Sequence, residues 1–273
     1  MTASHNSGTA HRVMRAVKFC ARMACYCLLP IYYLCAPLCA FLSPFGARFQ
    51  QTMRAIPARK SAFPMEYDWR WRETNFNRIA LVNLLSANRP DGDYLEIGCA
   101  DNDLLDSVLM GHKIGVDPAR GGTVRKTSDE FFESNDRKFD VIFIDGLHSY
   151  EQVRRDVMNS IKCLKQGGWI ALHDMLPGNW IEEHVPIISI AAWTGDVWKV
   201  AFELSRSKGI DFRLLKIDHG VGVFRLTDND PRLYDLTHEL RNERFAYLYN
   251  NLHRLPLVEL DAGRAWIRGV QVP

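Results

Sequence analysis

Four short stretches of this 273-residue chain carry side chains that could do chemistry. Tyr94-Leu95-Glu96-Ile97-Gly98 is an apolar run with one acid that closes on a glycine turn. Asp117 follows nineteen residues after Gly98, at the end of Lys113-Ile114-Gly115-Val116. The turn lets backbone approach a ligand closely, and the carboxylate can take both hydroxyls of a ribose, so the pair points to a nucleoside-containing cofactor. Asp145-Gly146-Leu147-His148-Ser149-Tyr150 and His173-Asp174 each follow an apolar run. An imidazole can accept a proton near neutral pH, and two carboxylates can hold a divalent ion that acidifies a hydroxyl. Each residue also has a plainer use: His148 could cap the helix after it, and Asp174 could bond loop backbone.

These groups need rigid elements to hold them. Ile79, Val82 and Leu85 lie near helical spacing and predict an amphipathic helix within 73–87, ended by Asn88-Arg89-Pro90-Asp91-Gly92. Strands are expected at 94–98 and 114–117, with a helix over 103–110 between them. Thr127-Ser128-Asp129 opens a short helix carrying Phe131 and Phe132. The run 139–144, apolar except for Asp140, reads as a central parallel strand buried on both faces. A helix over 150–164 follows, then the Lys165-Gln166-Gly167-Gly168 turn and a strand over 169–172. Strand and helix alternate at the rhythm of a doubly wound α/β sheet, whose functional groups collect at the C-terminal strand ends. Residues 211–217 and 221–226 flank Asp218-His219-Gly220 and predict an antiparallel hairpin at the sheet edge. Leu233, Leu236, Leu240, Phe245, Leu248 and Leu252 then form a helical stripe within 231–253.

The first 72 residues differ in character. Residues 23–45 carry no charge, are long enough to cross a bilayer, and are interrupted by Pro30, Pro37 and Pro44. Basic residues flank both ends, so both flanks can face the cytoplasm, and a bent or interfacial anchor fits better than a simple span. A buried helical hairpin and a cleaved signal peptide are the competing readings. The domain organisation expected is a membrane-associated segment over 1–48, a connector over 49–72, a catalytic domain over 73–226, and a C-terminal helix and tail over 227–273. Seven cysteines include no Cys-x-x-Cys pair, which argues against structural zinc, and Cys99 and Cys163 stand apart as in a reducing compartment. A formal charge of +2 excludes a broad nucleic-acid surface.

Over roughly 73–226 the chain resembles the class I S-adenosylmethionine-dependent methyltransferases. Leu95 to Asn102 resembles their first motif, Gly115-Val116-Asp117 the acidic end of their second strand, Phe139 to Gly146 their fourth-strand motif, and Leu164 to Ile170 the turn into their fifth. The resemblance implies a mostly parallel seven-stranded sheet with a C-terminal antiparallel hairpin, preceded here by the apolar helical anchor. It implies S-adenosylmethionine as cofactor, with Glu96 and Gly98 under the methionine part, Asp117 at the ribose, and Ser128 and Asp129 beside the adenine. Asp145 counts with this set as well as with the chemistry. Asn102 stands where the family usually has a glycine; asparagine tolerates left-handed backbone.

The Asp-Gly-x-His-x-Tyr and His-Asp fragments resemble a small-molecule O-methyltransferase branch. Methyl transfer to a hydroxyl needs its proton removed, which makes His148 and His173 the candidate bases, with Asp145 alongside. Asp145 and Asp174 also sit where metal-dependent catechol-type enzymes place acidic ligands, which implies possible Mg2+. Met175 stands where those enzymes have an asparagine ligand. His112, His219, His238 and His253 lack such context. Trp193, Trp198 and Lys199 are candidates for the acceptor side, with core packing the alternative. The function expected is a membrane-associated, cytoplasm-facing O-methyltransferase acting on a small-molecule, lipid or glycan acceptor. The rival is a non-catalytic methyltransferase-fold subunit of a membrane protein complex.

Overall fold

The computed structural model describes residues 44–270. The chain forms two compact units, the first ending at Ile56 and the second starting at Pro57. In the first, Pro44–Ala55 forms helix α1, and proline suits its first position because no N–H is needed there. The anchor expected over residues 23–45 lies outside the described residues except for Pro44 and Phe45. Among the described residues no helix is long and apolar enough to cross a membrane.

The second unit is a seven-stranded sheet in the order β2-β1-β3-β4-β6-β5-β7. The strands are β1 Asp93–Ile97, β2 His112–Val116, β3 Phe139–Ile144, β4 Leu164–Leu172, β5 Ile210–Leu215, β6 Val221–Leu226 and β7 Leu257–Val258. β1 to β4 pair in parallel, β6 runs antiparallel to both β4 and β5, and β5 pairs in parallel with β7. Alternate side chains of each strand enter opposite layers, as a pleated strand requires. Leu95, Ile97, Ile142 and Ile144 face α5 (Tyr150–Cys163) and α7 (Trp198–Arg206) in one apolar cluster. Tyr94, Val141 and Phe143 face α2 (Arg78–Ser86) and α3 (Asp103–Ser107) in the other. The sheet is therefore doubly wound. Strand order reverses between β1 and β3, and ligands bind at such a switch point.

Several boundaries differ from expectation for physical reasons. The 73–87 helix starts only at Arg78, because Asn77 caps it by accepting from the Ala80 N–H at 3.2 Å. The 165–168 turn lies within β4 as an irregularity, with a register shift against β3 and Gly167 at φ 72°. The single helix expected over 231–253 is broken into α8 Thr237–Leu240, α9 Phe245–Asn251 and a 3-10 turn at Leu252–Arg254. From Leu240 to Phe245 the apolar step is five residues, out of phase with a 3.6-residue turn, so both can be buried only if the helix breaks. β7 and α10 (Leu260–Arg268) had no counterpart in the sequence reading.

Residues 57–72, expected as a connector, pack on the second unit as a strap. The Tyr67 N–H donates to the Gly178 carbonyl at 2.7 Å, and Trp69 Nε1 donates to the Pro177 carbonyl at 3.0 Å. Tyr67 also stacks on Trp69 and Tyr249, with centroids 4.5 and 4.8 Å away. The strap thereby braces the segment that leaves β4 just beyond Asp174.

Candidate active site

The C-terminal ends of β1 to β4 open on one cleft of about 750 Å3, lined among others by Glu96, Gly98, Asp117, Ser128, Asp145, His148, His173 and Asp174. Every residue predicted for cofactor, catalysis or metal except Asp129 lies on its wall, and the acceptor-side candidates Trp193, Trp198 and Lys199 do not. Parallel pairing aligns the strand exits: the Asp145 N–H donates to the Ile97 carbonyl at 2.8 Å, and the His173 N–H to the Ile144 carbonyl at 3.0 Å.

The turn after β1 is closely built. Gly98 has φ +84°, and a Cβ there would lie 2.1 Å from the Asp145 carbonyl oxygen, so the exits of β1 and β3 can touch only at glycine. Asn102 adopts the left-handed conformation, φ 68°, and its Oδ1 accepts from the Gly122 N–H at 2.6 Å. The asparagine thus serves the backbone where the family has glycine. Ala100, at φ 46°, shares the left-handed region without a polar side chain to compensate.

Asp117 is held by four backbone donors. Oδ2 accepts from Cys99 at 3.0 Å and Ala100 at 3.2 Å, and Oδ1 from Ala119 at 2.8 Å and Arg120 at 2.9 Å. Burial opposes the charge, but these N–H groups hold the carboxyl below its usual range. Asp117 therefore organises the turn. Burial pushes Glu96 up to about 7 against the bond from Tyr94 Oη at 2.8 Å, and the nearby Asp145 charge adds to the rise. Burial likewise pushes the Cys99 thiol up to about 12, so Cys99 is not a nucleophile here. Asp129 is not on the cleft wall and lies 3.5 Å from Arg155 and 3.2 Å from Gln152 Nε2.

At the β3 and β4 exits four predicted residues converge. His148 Nε2 lies 3.3 Å from Asp145 Oδ1, while Nδ1 lies 2.8 Å from the Trp193 carbonyl and 3.2 Å from Asp174 Oδ2. Both ring nitrogens face acceptors, an arrangement that calls for both protons. Burial works against the charged ring, but the Asp145 and Asp174 carboxylates outweigh it and raise the His148 pKa. His173 is buried, with Nδ1 3.4 Å from Asp145 Oδ1 and 3.3 Å from Asp174 Oδ1, and Nε2 3.5 Å from Asp218 Oδ1. Despite burial these carboxylates raise its pKa strongly, and the histidines in turn hold Asp145 well below the usual carboxylate range. His173 thus lies buried between three carboxylates that favour its protonated form, which makes it less available as a base than His148.

Three site residues were not singled out in the sequence. Asp218 comes from the β5–β6 turn, and its Oδ2 accepts from the Arg78 N–H at 2.9 Å and Arg78 Nη1 at 3.2 Å. His173 and Arg78 hold Asp218 far below its usual range against the cost of burial. His219, read as ordinary, lies 6.4 Å from the His173 ring and 5.7 Å from Trp71. A left-handed φ at Asp174, Asp218 and His219 was the signal that sequence alone did not expose. Trp193 stacks on His148 with centroids 5.0 Å apart, whereas Trp198 and Lys199 belong to the core and do not reach the acceptor side. Lys199 Nζ instead bonds Asp196 at 2.9 Å and the Arg241 carbonyl at 3.1 Å.

Ligand atoms of Asp145, His148 and Asp174 lie within 4.8 Å of one another, as a metal would require. The set does not fit the Mg2+ expected. Magnesium demands near-octahedral oxygen ligands, while one of these three donors is an imidazole and Met175 is fully buried in the core. Both carboxylates are also taken up by imidazole nitrogens.

Residues 83–175 match a family described as a methyltransferase domain. The segment holds all the predicted site residues. No curated protein matches the chain. Among solved structures, the chain is similar to the SAH-bound methyltransferase PaMTH1 from Podospora anserina (16% identity, 84% of this chain and 99% of that one, TM-score 0.44). It is also similar to the O-methyltransferase TomG from Streptomyces achromogenes, in complex with SAM (13%, 54% and 78%, TM-score 0.41). A third is an O-methyltransferase from Bacillus cereus in complex with SAH (12%, 66% and 90%, TM-score 0.38). These likenesses are too distant to carry an argument about chemistry. The family match covers the residues that build most of the cleft and shows a methyltransferase domain there.

Proposed function

We propose that the protein methylates a hydroxyl of a small-molecule, lipid or glycan acceptor, with His148 taking the hydroxyl proton. The observation that carries this reading is the seat of His148 at the cleft wall. It is 20% exposed, oriented by the Trp193 carbonyl and held between Asp145 and Asp174. S-adenosylmethionine supplies a sulfonium-bound methyl carbon, which passes to the acceptor oxygen while the electrons of the broken C–S bond stay on sulfur. Glu96 and Gly98 would lie along its methionine part, Asp117 at the ribose, and Ser128 toward the base.

The charges explain when His148 acts. Asp145, Asp174 and Asp218 face His148, His173 and Arg78, so the charges balance when both rings carry their second proton. Beside a bound sulfonium that balance turns positive, and His148, more exposed than His173, is the ring that releases its proton. His173 keeps the Asp145 carboxyl, and with Arg78 the Asp218 carboxyl, well below the usual range. No step calls for a metal, so a chelator is expected to leave the rate unchanged.

The exposed Leu147 at the cleft mouth and the Trp193 ring over His148 support an acceptor with an apolar or aromatic part. The uncharged apolar run over 23–45, with basic residues on both sides, supports attachment to a membrane with the catalytic domain on the cytoplasmic side. Calorimetric titration with S-adenosylhomocysteine, then a methyl-donor assay over hydroxyl, amine and carbon acceptors, tests the chemistry. Transfer to amines or carbon alone would replace the hydroxyl reading, and absence of binding would overturn the site. Fractionation with and without residues 1–48 tests the attachment, which fails if both forms pellet alike.

A further inference from the structure

The loop between β4 and α7 carries an apolar rim that methyl transfer does not use. Val185-Pro186-Ile187-Ile188-Ser189-Ile190-Ala191-Ala192-Trp193 holds no ionisable side chain, in a chain of which 24% is charged. The two ends of this run are tied to each other and to His148. Trp193 stacks on the His148 ring at 5.0 Å, and its Nε1 donates to the His184 carbonyl at 3.0 Å. His184 Nδ1 in turn lies 2.8 Å from the Pro186 carbonyl. Between these ties Ile188 and Ser189 are buried, and Ser189 Oγ accepts from the Ala191 N–H at 3.1 Å. The loop is therefore seated, and it turns Pro186, Ile187 and Ala191 to solvent, with Ile187 51% exposed. Leu147, 60% exposed, stands on the cleft wall immediately before His148.

A single exposed apolar side chain is ordinary on a protein surface. Here two large ones sit on the two segments that meet at His148, and the loop offers no charge to hold water. Chain connectivity names the occupant. The uncharged run over 23–45, with basic residues on both sides, leads into the strap of residues 57–72. That strap bonds the Pro177 and Gly178 carbonyls, where the segment that becomes this loop leaves β4. We propose that Pro186, Ile187 and Ala191, with Leu147, form a lip that rests in the headgroup layer of a lipid bilayer and opens the His148 end of the cleft toward it. Aliphatic side chains gain by leaving water at such an interface, and no charge in the loop has to be stripped of water there. Two large side chains are too few to hold a protein on a membrane unaided, so the lip acts with the N-terminal run keeping it near. The inference rests on the membrane attachment proposed above, and it narrows the acceptor to one presented at the bilayer surface.

Amide hydrogen exchange on the full chain, with and without vesicles of phosphatidylcholine and phosphatidylglycerol, separates the lip from the attachment. In wild type, vesicles should slow exchange over 185–193 and at Leu147 as well as over 23–45. Ile187→Asp sets a charge on the lip and should abolish the slowing over 185–193 while leaving that over 23–45. Ile187→Ser removes the apolar surface without adding charge and should weaken it. An unchanged melting temperature in either variant shows that the fold persists. A loop that vesicles leave unslowed in wild type while 23–45 is protected, or one slowed equally in both variants, would overturn the inference alone. Slowing of the loop without vesicles that grows with protein concentration would overturn it in favour of a second copy of the chain. Protection of neither segment in wild type would overturn the attachment and this inference with it.

Discussion

Asp117 offers a test of whether the cofactor turn depends on one buried charge. Its two oxygens accept four backbone N–H groups at 2.8 to 3.2 Å, from loops on either side of the β2 exit. A hydrogen bond to a charged partner contributes about 1.5–3 kcal/mol, less where water can replace it. Asp117→Ala frees all four donors at the edge of an open cleft, and partial rehydration leaves a loss of about 2–3 kcal/mol. Asp117→Asn looks milder, yet its Nδ2 would point hydrogens at two N–H donors and must turn away. The asparagine variant should therefore be no more stable than the alanine one. The folded pKa is depressed, so this stabilisation is present above the unfolded carboxyl's value and is lost as pH falls through the folded one. Urea denaturation of both variants at pH 7, with S-adenosylhomocysteine titration alongside, gives the two readouts. Wild-type stability in Asp117→Asn would refute the reasoning, and unchanged ligand affinity in both variants would remove Asp117 from the cofactor site.

His148→Ala should slow transfer by about 10²–10⁴-fold with little change in S-adenosylhomocysteine affinity. Because the His148 pKa is raised, the rate of wild type should climb with pH through a midpoint above that of free histidine; a flat profile would point to another base. Gly195→Ala should misplace His148, since a Cβ there would lie 1.8 Å from the His148 carbonyl at φ +60°; full activity with normal folding would contradict that packing. Glu183 is fully buried with neither oxygen bonded, and burial pushes it up to about 7. Its folded pKa lies above the unfolded value, so stability should fall as pH rises from about 4.5 through 7, by on the order of 3 kcal/mol. Glu183→Gln should flatten that decline in thermal melts taken across the range, and an unaltered pH dependence would clear Glu183 of the effect.

Wherever an element's character follows from its own residues, the sequence was readable. The short apolar runs of Tyr94 to Ile97 and Phe139 to Ile144, each with one acid, announce strands buried on both faces. The parallel exits then had to share one cleft, which brings Glu96, Asp117, Asp145, His148, His173 and Asp174 together. Asn102 was legible for a similarly local reason: its side chain tolerates left-handed backbone. The C-terminal stripe misled because its period is read by counting, and one five-residue step sufficed to break the helix.

What decided the state of the site lies between elements distant in the chain. Asp218 was legible only as a hairpin turn, yet the sheet order carries that turn to the Arg78 N–H, 140 residues away, and sets Oδ1 against His173. That meeting adds a third carboxylate to Asp145 and Asp174, whose charges raise the His173 pKa. Trp193 is likewise placed by a loop whose Gly195 packs on His148, and the Tyr67–Trp69 strap fixes the backbone just past Asp174. A residue's type limits what it can do, and its spacing shows which strand end carries it. Its protonation depends on which charges and carbonyls the folded chain brings within about 3–4 Å, a distance over which electrostatic attraction is strong once water is excluded. For His148 and His173, that was settled by the tertiary structure.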